Sequence, residues 1–347
     1  MLVYWTLFLF FAAGSVATSG REWSTHRRNP LLIVGMVVVA LAIGLRYRVG
    51  ADWFNYVYYV DQARRLPLGE LLRLSDPGYQ FVNWVAYVFD LDVWFVNLVA
   101  GSVFTWGLYQ LCKSQPLPWV AASVAIPYLV IVVGMGYTRQ AVALGIMMAG
   151  LAQVTRGAST VRFAVYAAFA AAFHATAVLL FPLVALSRRT NRITNFLMVL
   201  AASYFLYSAF LAENVDRYLQ SYVQRGYSSQ GAGIRVVMNF VAALVFWTTS
   251  KRVGFTDEER ALWRNFSLAS VAMLVAFFLS PSSTAVDRMA LYLLPLQVVA
   301  LARLPLFGQN ASSGTMIVVG YMGLVEFVWL NFAQHAQYWL PYQLYPF

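Results

Sequence analysis

The residues best suited to chemistry in this sequence are arginines set at the ends of short apolar runs. Leu45-Arg46-Tyr47-Arg48-Val49-Gly50-Ala51-Asp52 closes an apolar run that begins at Leu31. As a helix that run rises ~22 Å, short of a ~30 Å hydrocarbon core, so Arg46 sits near or inside the headgroup boundary. A guanidinium there either anchors its span by snorkelling or faces a carboxylate or an anionic ligand. Gly134-Met135-Gly136-Tyr137-Thr138-Arg139-Gln140 repeats the arrangement where one apolar run leaves and the next begins. Its glycines let backbone or ligand approach closely. Ala285-Val286-Asp287-Arg288 and Gly231-Ala232-Gly233-Ile234-Arg235 put two further arginines at span starts. Guanidiniums grouped this way bind phosphate or carboxylate through paired donors.

His174 interrupts an Ala/Phe/Leu stretch. It either hydrogen-bonds between helices or, if open to the outer side, serves as a general base. Asp52 is the second candidate for that role. Asp287 is expected to orient Arg288 or to act as a helix N-terminal acid. Glu326 is expected to pair with an arginine on its side of the membrane, because an unpaired intramembrane acid is costly. Asp90-Leu91-Asp92 has the DxD spacing of metal-dependent sugar-nucleotide transferases, yet its place just before an apolar run reads as a helix cap. The single Cys112 excludes an intrachain disulfide, and no His/Cys spacing matches a metal site, so no metal or other cofactor is expected.

Only 11% of the 347 residues are charged, against about 25% in an ordinary soluble protein, so the chain is an integral membrane protein. Arginine supplies 22 of its 24 basic residues. Met1 to Thr18 lacks a basic n-region and reads as a first span with its N-terminus outside, not as a signal peptide. Spans are expected near 2–19, 30–45, 93–112, 119–136, 140–155, 194–212, 235–250, 262–280, 289–304 and 314–332. Trp53, Tyr56, Val57 and Val60 recur at helical spacing, which predicts an interfacial helix with its aromatics among the headgroups. The piece from Phe81 to Phe89 is too short to cross alone. Residues 163–186 are flanked by basic residues on both sides, Arg156 and Arg162 before, Arg188, Arg189 and Arg192 after. A re-entrant hairpin with His174 near its tip keeps both flanks inside. That topology puts 14 of the 24 basic residues in the cytoplasm, including Arg21, Arg27 and Arg28. Letting the segment cross once leaves 10 there, and the positive-inside rule favours the hairpin. The expected fold is therefore an all-α polytopic membrane protein. It has about 10 transmembrane helices, the hairpin at 163–186 and outer interfacial helices, in a single domain over 1–347. The ten basic residues left outside are all arginines, a face suited to an anion.

The order Arg46-x-x-x-Gly50-x-Asp52, Asp76-Pro77-Gly78-Tyr79, Arg139-Gln140, an isolated His174, Asp287-Arg288 and Trp339-Leu340-Pro341-Tyr342 resembles the EpsG family of Wzy-like exopolysaccharide polymerases. Asp76 stands where a Glu is more usual. The resemblance implies a GT-C-like glycosyltransferase architecture in the bacterial inner membrane, with its active site facing the periplasm. It implies polymerisation of oligosaccharide repeat units carried on undecaprenyl pyrophosphate. In that reading Arg46, Arg48, Arg139 and Arg288 bind pyrophosphate, and Gln140 orients them. Arg235, Tyr79 and Tyr342 complete the substrate-binding set, and His174 or Asp52 is the base. The partners are the lipid-linked donor and acceptor, membrane lipid and a chain-length-regulating co-polymerase, with no nucleic acid. Three other readings share parts of this pattern: an O-antigen-ligase-like enzyme, a transferase using a prenyl-monophosphate sugar, and a lipid-linked oligosaccharide flippase.

Overall fold

The computed structural model describes residues 1–19, 29–74, 76–187, 231–280 and 283–346, with five isolated positions between 197 and 208. Most of the expected span at 194–212, most of the loop after it and the basic residues at 21–28 and 188–192 lie outside the described residues. The described chain is helical throughout, its one extended contact being an isolated bridge between Arg46 and Leu344. Helices α1 (Leu2–Ala17), α2 (Pro30–Gly44), α3 (Trp53–Arg65), α4 (Leu68–Leu71), α5 (Pro77–Val88) and α6 (Val93–Lys113) come first. Next are α7 (Pro118–Ala125, continuing as a π-helix over Ile126–Gly134), α8 (Thr138–Val154), α9 (Thr160–Phe173) and α10 (Phe181–Ala185). Then follow α11 (Ala232–Thr249), α12 (Asp257–Leu279), α13 (Ser283–Ala290), α14 (Pro295–Arg303) and α15 (Ala311–Phe332).

Two packed groups flank α7. On one side α8 packs between α6 and α9, and α2 lies against α6; on the other, α11 packs against α12, α13 and α14. The α6–α8 crossing is close because Gly107 faces the backbone of Gly145, where a Cβ on either residue would collide with the other helix. Small residues at such crossings are how membrane helices gain contact area, since lipid tails are as apolar as leucine. Every residue from Leu117 to Gly136 is buried, so α7 is the axis of the bundle.

Among the described residues, four helices are long and apolar enough to cross a membrane: α6, α11, α12 and α15. A fifth crossing arises if the pair Ser283–Leu293 and Pro295–Leu306, bent by 46°, is one broken span. In that case the span expected at 289–304 starts earlier and is kinked, with Pro295 opening its second half. Among the described residues, the shorter apolar helices are α1 and α2, at 16 and 15 residues, α7 with its π continuation (Pro118–Gly134), and Thr160–Phe173 and Ala175–Ala185.

The segment around 163–186 doubles back as expected. Helix α9 ends at His174, whose backbone is extended (φ −158°, ψ 107°). A 3-10 segment, Ala175–Leu180, then leads into α10, which packs against α9 and α12. Ser187 shares a small cavity with Val154, Thr155 and Glu259, so the return limb finishes at the end where α9 began. His174 is the apex. A 14-residue α9 rises only ~21 Å, which suits a limb that dips and returns.

The interfacial reading of α3 needs correcting. Trp53, Tyr56 and Val60 are buried against Tyr79, Ala86 and Val96 of α5 and α6, while Phe54 and Tyr58 are the exposed aromatics. The helical spacing marked a face packed on protein, and spacing alone does not distinguish protein from headgroups.

Far from this region, Arg303 and Glu259 form a buried pair at 2.7 Å, with Gln115 accepting from Arg303 Nε at 3.2 Å. It joins α14, α12 and the α6–α7 turn.

Candidate functional site

Several chain passes end around one polar cluster: α2, α7 and α9 by their C-terminal ends, α6 and α8 by their N-terminal ends, and α13 with α5 beside them. Helix α8 starts at Thr138, so Arg139 stands in its first turn, where the helix dipole favours an anion. Arg139 Nη1 donates to Asp76 Oδ2 at 2.6 Å, and its guanidinium lies 5.0 Å from the centroid of the Tyr59 ring. Arg139 keeps 30% of its side chain exposed, whereas Asp76 keeps 8%. Asp76 holds a left-handed backbone (φ 47°) and also accepts from the Ala175 amide next to the hairpin apex. Burial raises its carboxyl above the usual carboxylate range, and Arg139 opposes that rise. Gly78 lets α5 reach the apex, since a Cβ there would stand 3.1 Å from both Ala172 O and the Phe173 ring. The Asp-Pro-Gly-Tyr motif is therefore a clamp between α8 and the hairpin.

His174 shares its Nδ1 with two hydroxyls, Thr176 Oγ1 at 2.7 Å and Tyr292 Oη at 3.1 Å. Thr176 Oγ1 in turn donates to Tyr292 Oη at 3.4 Å. In the tautomer whose Nδ1–H donates to Thr176, Nε2 is the unprotonated nitrogen, as a general base requires. His174 joins Arg139 through its neighbour Ala175, whose amide donates to the Asp76 carboxylate that Arg139 holds. Arg288 lies 4.4 Å from the Tyr137 ring centroid and 3.9 Å from Asp52 Oδ2. Gln140 donates to the backbone carbonyl of Arg288 at 2.7 Å, so it sets the position of α13. Asp52, Asp76, Arg139, Gln140, His174 and Arg288 thus form one group.

Other expected site residues are placed differently. Arg46 is fully buried and donates to the carbonyls of Ile43 and Val49, to Asn97 Oδ1 at 3.1 Å and to Thr138 Oγ1 at 2.7 Å. It braces the start of α8 beneath the cluster. Arg48 is exposed and lies 5.1 Å from the centroid of the Tyr47 ring. Tyr342 donates to Ala42 O at 2.8 Å in a tail that folds across the end of α2. Tyr79 is buried under Tyr56 and Tyr59, with no partner for its hydroxyl among the described residues. Arg235 pairs with Asp287 at 2.7 Å and approaches Tyr137 Oη at 3.4 Å. Asp287 therefore serves Arg235 of α11. Glu326 is buried, and neither carboxylate oxygen has a partner among the described residues, so none of the described arginines forms the expected ion pair. Asp92 caps α6 by accepting from the Val93 amide at 2.7 Å, as its position predicts. Among the described residues no group of three or more His, Cys, Asp or Glu side chains is placed to hold a metal ion.

This cluster joins the very motifs whose order prompted the resemblance, and the comparison with family models decides it: the EpsG family matches residues 30–344. The chain belongs to the EpsG family. That family is one of Wzy-like exopolysaccharide polymerases, and membership implies a membrane polysaccharide polymerase of glycosyltransferase type. No curated protein and no solved structure matches the chain. Within this EpsG-family protein, Tyr137, Thr176 and Tyr292 are site residues the motif reading passed over. Tyr137 stood inside a quoted motif and could have been found there. Tyr292 lies in the apolar run Ala290-Leu-Tyr-Leu-Leu294 and carries no local signal.

Proposed function

We propose that the protein joins repeat units carried on undecaprenyl pyrophosphate at the periplasmic face of a bacterial inner membrane, by inverting, metal-independent glycosyl transfer in a GT-C-like fold. The observation that carries this reading is Arg139, held by Asp76 yet part-exposed in the first turn of α8, with Arg288 and His174 in the same cluster. An acceptor hydroxyl oxygen bonds to the anomeric carbon of the donor. The bond from that carbon to pyrophosphate oxygen breaks, and its electron pair leaves with the pyrophosphate. Arg139 and Arg288 stabilise the charge that develops there through preorganised donors. The hydroxyl proton passes to His174 Nε2, with Asp52 as the alternative acceptor. Arg46 and Gln140 are positioning residues in this scheme, and Arg235, Tyr79, Arg48 and Tyr342 border it. A chain-length-regulating co-polymerase is a further proposed partner.

Incubating purified protein with lipid-linked repeat units should yield a ladder of longer products of inverted anomeric configuration, unaffected by excess EDTA. A single fixed-length product on a different acceptor favours ligase chemistry, and no product from pyrophosphate-linked donors overturns the reading. Loss of the ladder in EDTA with rescue by Mg²⁺ overturns metal independence.

A further inference from the structure

A cavity opens beside Tyr137. It has a volume of about 420 Å³, within the ~300–1,000 Å³ span of ligand pockets, and lies among α7, α11, the end of α15 and the tail. Its walls are the rings of Tyr128, Tyr137, Trp329, Phe332 and Trp339, with Arg235 among them. Two of these rings are fixed in place. Trp339 Nε1 donates to Ile131 O at 2.8 Å, and Trp329 stands edge-on to Trp339 at 5.0 Å between centroids. Rigid aromatic walls with a few polar groups suit a ligand having both an apolar face and a hydroxyl rim, as a pyranose ring does.

The charge balance decides what kind of ligand fits. Arg235 is 96% buried and already matched by Asp287 at 2.7 Å, so this cavity lacks the net positive charge that a pyrophosphate needs. Yet Arg235 Nε, buried on the cavity wall, has no partner among the described residues. A buried donor without a partner is costly, and a neutral hydroxyl acceptor satisfies it without adding charge. A prenyl chain would satisfy neither the donor nor the polar residues Gln334 and His335 at the rim.

We infer that this cavity is a saccharide subsite, seating a sugar ring of the oligosaccharide while the pyrophosphate lies across Tyr137 among Arg139 and Arg288. The Tyr137 ring is shared: Arg288 lies 4.4 Å and Arg235 5.8 Å from its centroid, so the two sites touch through one side chain. The inference rests on the polymerase reading for its substrate class.

Binding separates the two claims. The full-length protein in detergent is titrated with free neutral oligosaccharides and, separately, with undecaprenyl pyrophosphate lacking sugar, following tryptophan fluorescence and saturation-transfer NMR. Trp329→Ala and the gentler Phe332→Ala, at a largely exposed ring, should each weaken oligosaccharide binding about tenfold and leave the sugar-free lipid unaffected. Arg139→Lys should do the reverse. The subsite is overturned if no oligosaccharide binds, if binding ignores both aromatic variants, or if those variants weaken the sugar-free lipid instead. A missing product ladder with oligosaccharide binding intact overturns the polymerase chemistry and leaves the subsite standing.

Discussion

Arg139 offers the sharpest test, because one guanidinium is asked both to hold Asp76 and to bind substrate. One of its terminal nitrogens is committed to Asp76 at 2.6 Å, and 30% of the side chain remains open. Arg139→Lys keeps the charge and a point contact to Asp76, but it cannot present a second, coplanar pair of donors. Loss of one preorganised donor to a developing anion should slow turnover by about 10²-fold, or ~2.7 kcal/mol of barrier, with little change in thermal stability. Asp76→Asn makes the complementary cut. Removing one partner of a fully buried pair costs about 3–5 kcal/mol, and the partial exposure of Arg139 reduces this to roughly 2 kcal/mol. That variant should therefore lose stability as well as rate, because the clamp between α8 and the hairpin loosens. The assay is the rate of ladder formation from lipid-linked repeat units, paired with scanning fluorimetry of the same samples. Near-wild-type turnover in Arg139→Lys would falsify a ligand role and leave Arg139 as an anchor of α8.

Three other outcomes follow from the geometry. His174→Gln should stop polymerisation, a loss of about 10²–10⁴-fold, while donor binding and folding persist, since glutamine can hydrogen-bond to Thr176 but cannot take the proton; good polymerisation by this variant moves the base to Asp52 or the substrate phosphate. Cysteines placed at Thr160 and Leu186 should both react with a membrane-impermeant reagent from the cytoplasmic side, and labelling from opposite sides sinks the hairpin. Glu259→Gln keeps the capping geometry at Thr256 but leaves the Arg303 charge buried without its partner, so stability should fall by about 3 kcal/mol with donor binding unchanged; a stability within 0.5 kcal/mol of wild type, roughly the noise of a neutral surface change, refutes that account.

Much of the fold was legible because apolar length and flanking charge are local properties. The basic flanks of 163–186 announced a hairpin, and Asp92 announced a cap. The sequence did not reveal that α7 is buried on every side, because a helix facing lipid and one facing protein use the same apolar residues. The arginines show the same limit. Arg46 and Arg139 both close or open short apolar runs, yet Arg46 is consumed by Asn97 and Thr138 and Arg139 stays part-open. That difference lies in partners 51 and 92 residues along the chain for Arg46 and 63 residues back for Arg139, beyond any local pattern.

The strap formed by the tail has a consequence for biosynthesis. Tyr4 Oη donates to Trp339 O, a separation of 335 residues, and Tyr342 reaches Ala42 across 300. At about 5–20 residues per second, the ribosome needs roughly 15–60 s after making α2 before it delivers that cover. Over this interval the newly inserted Arg46 acquires its partners in sequence, Asn97 first and Thr138 next, while the backbone of Leu45 and Tyr47 still awaits Tyr345 and Gln343. The polar end of the bundle thus closes only after residues 338–345 have emerged, and until then it stands available to any insertase or chaperone that shields nascent membrane helices.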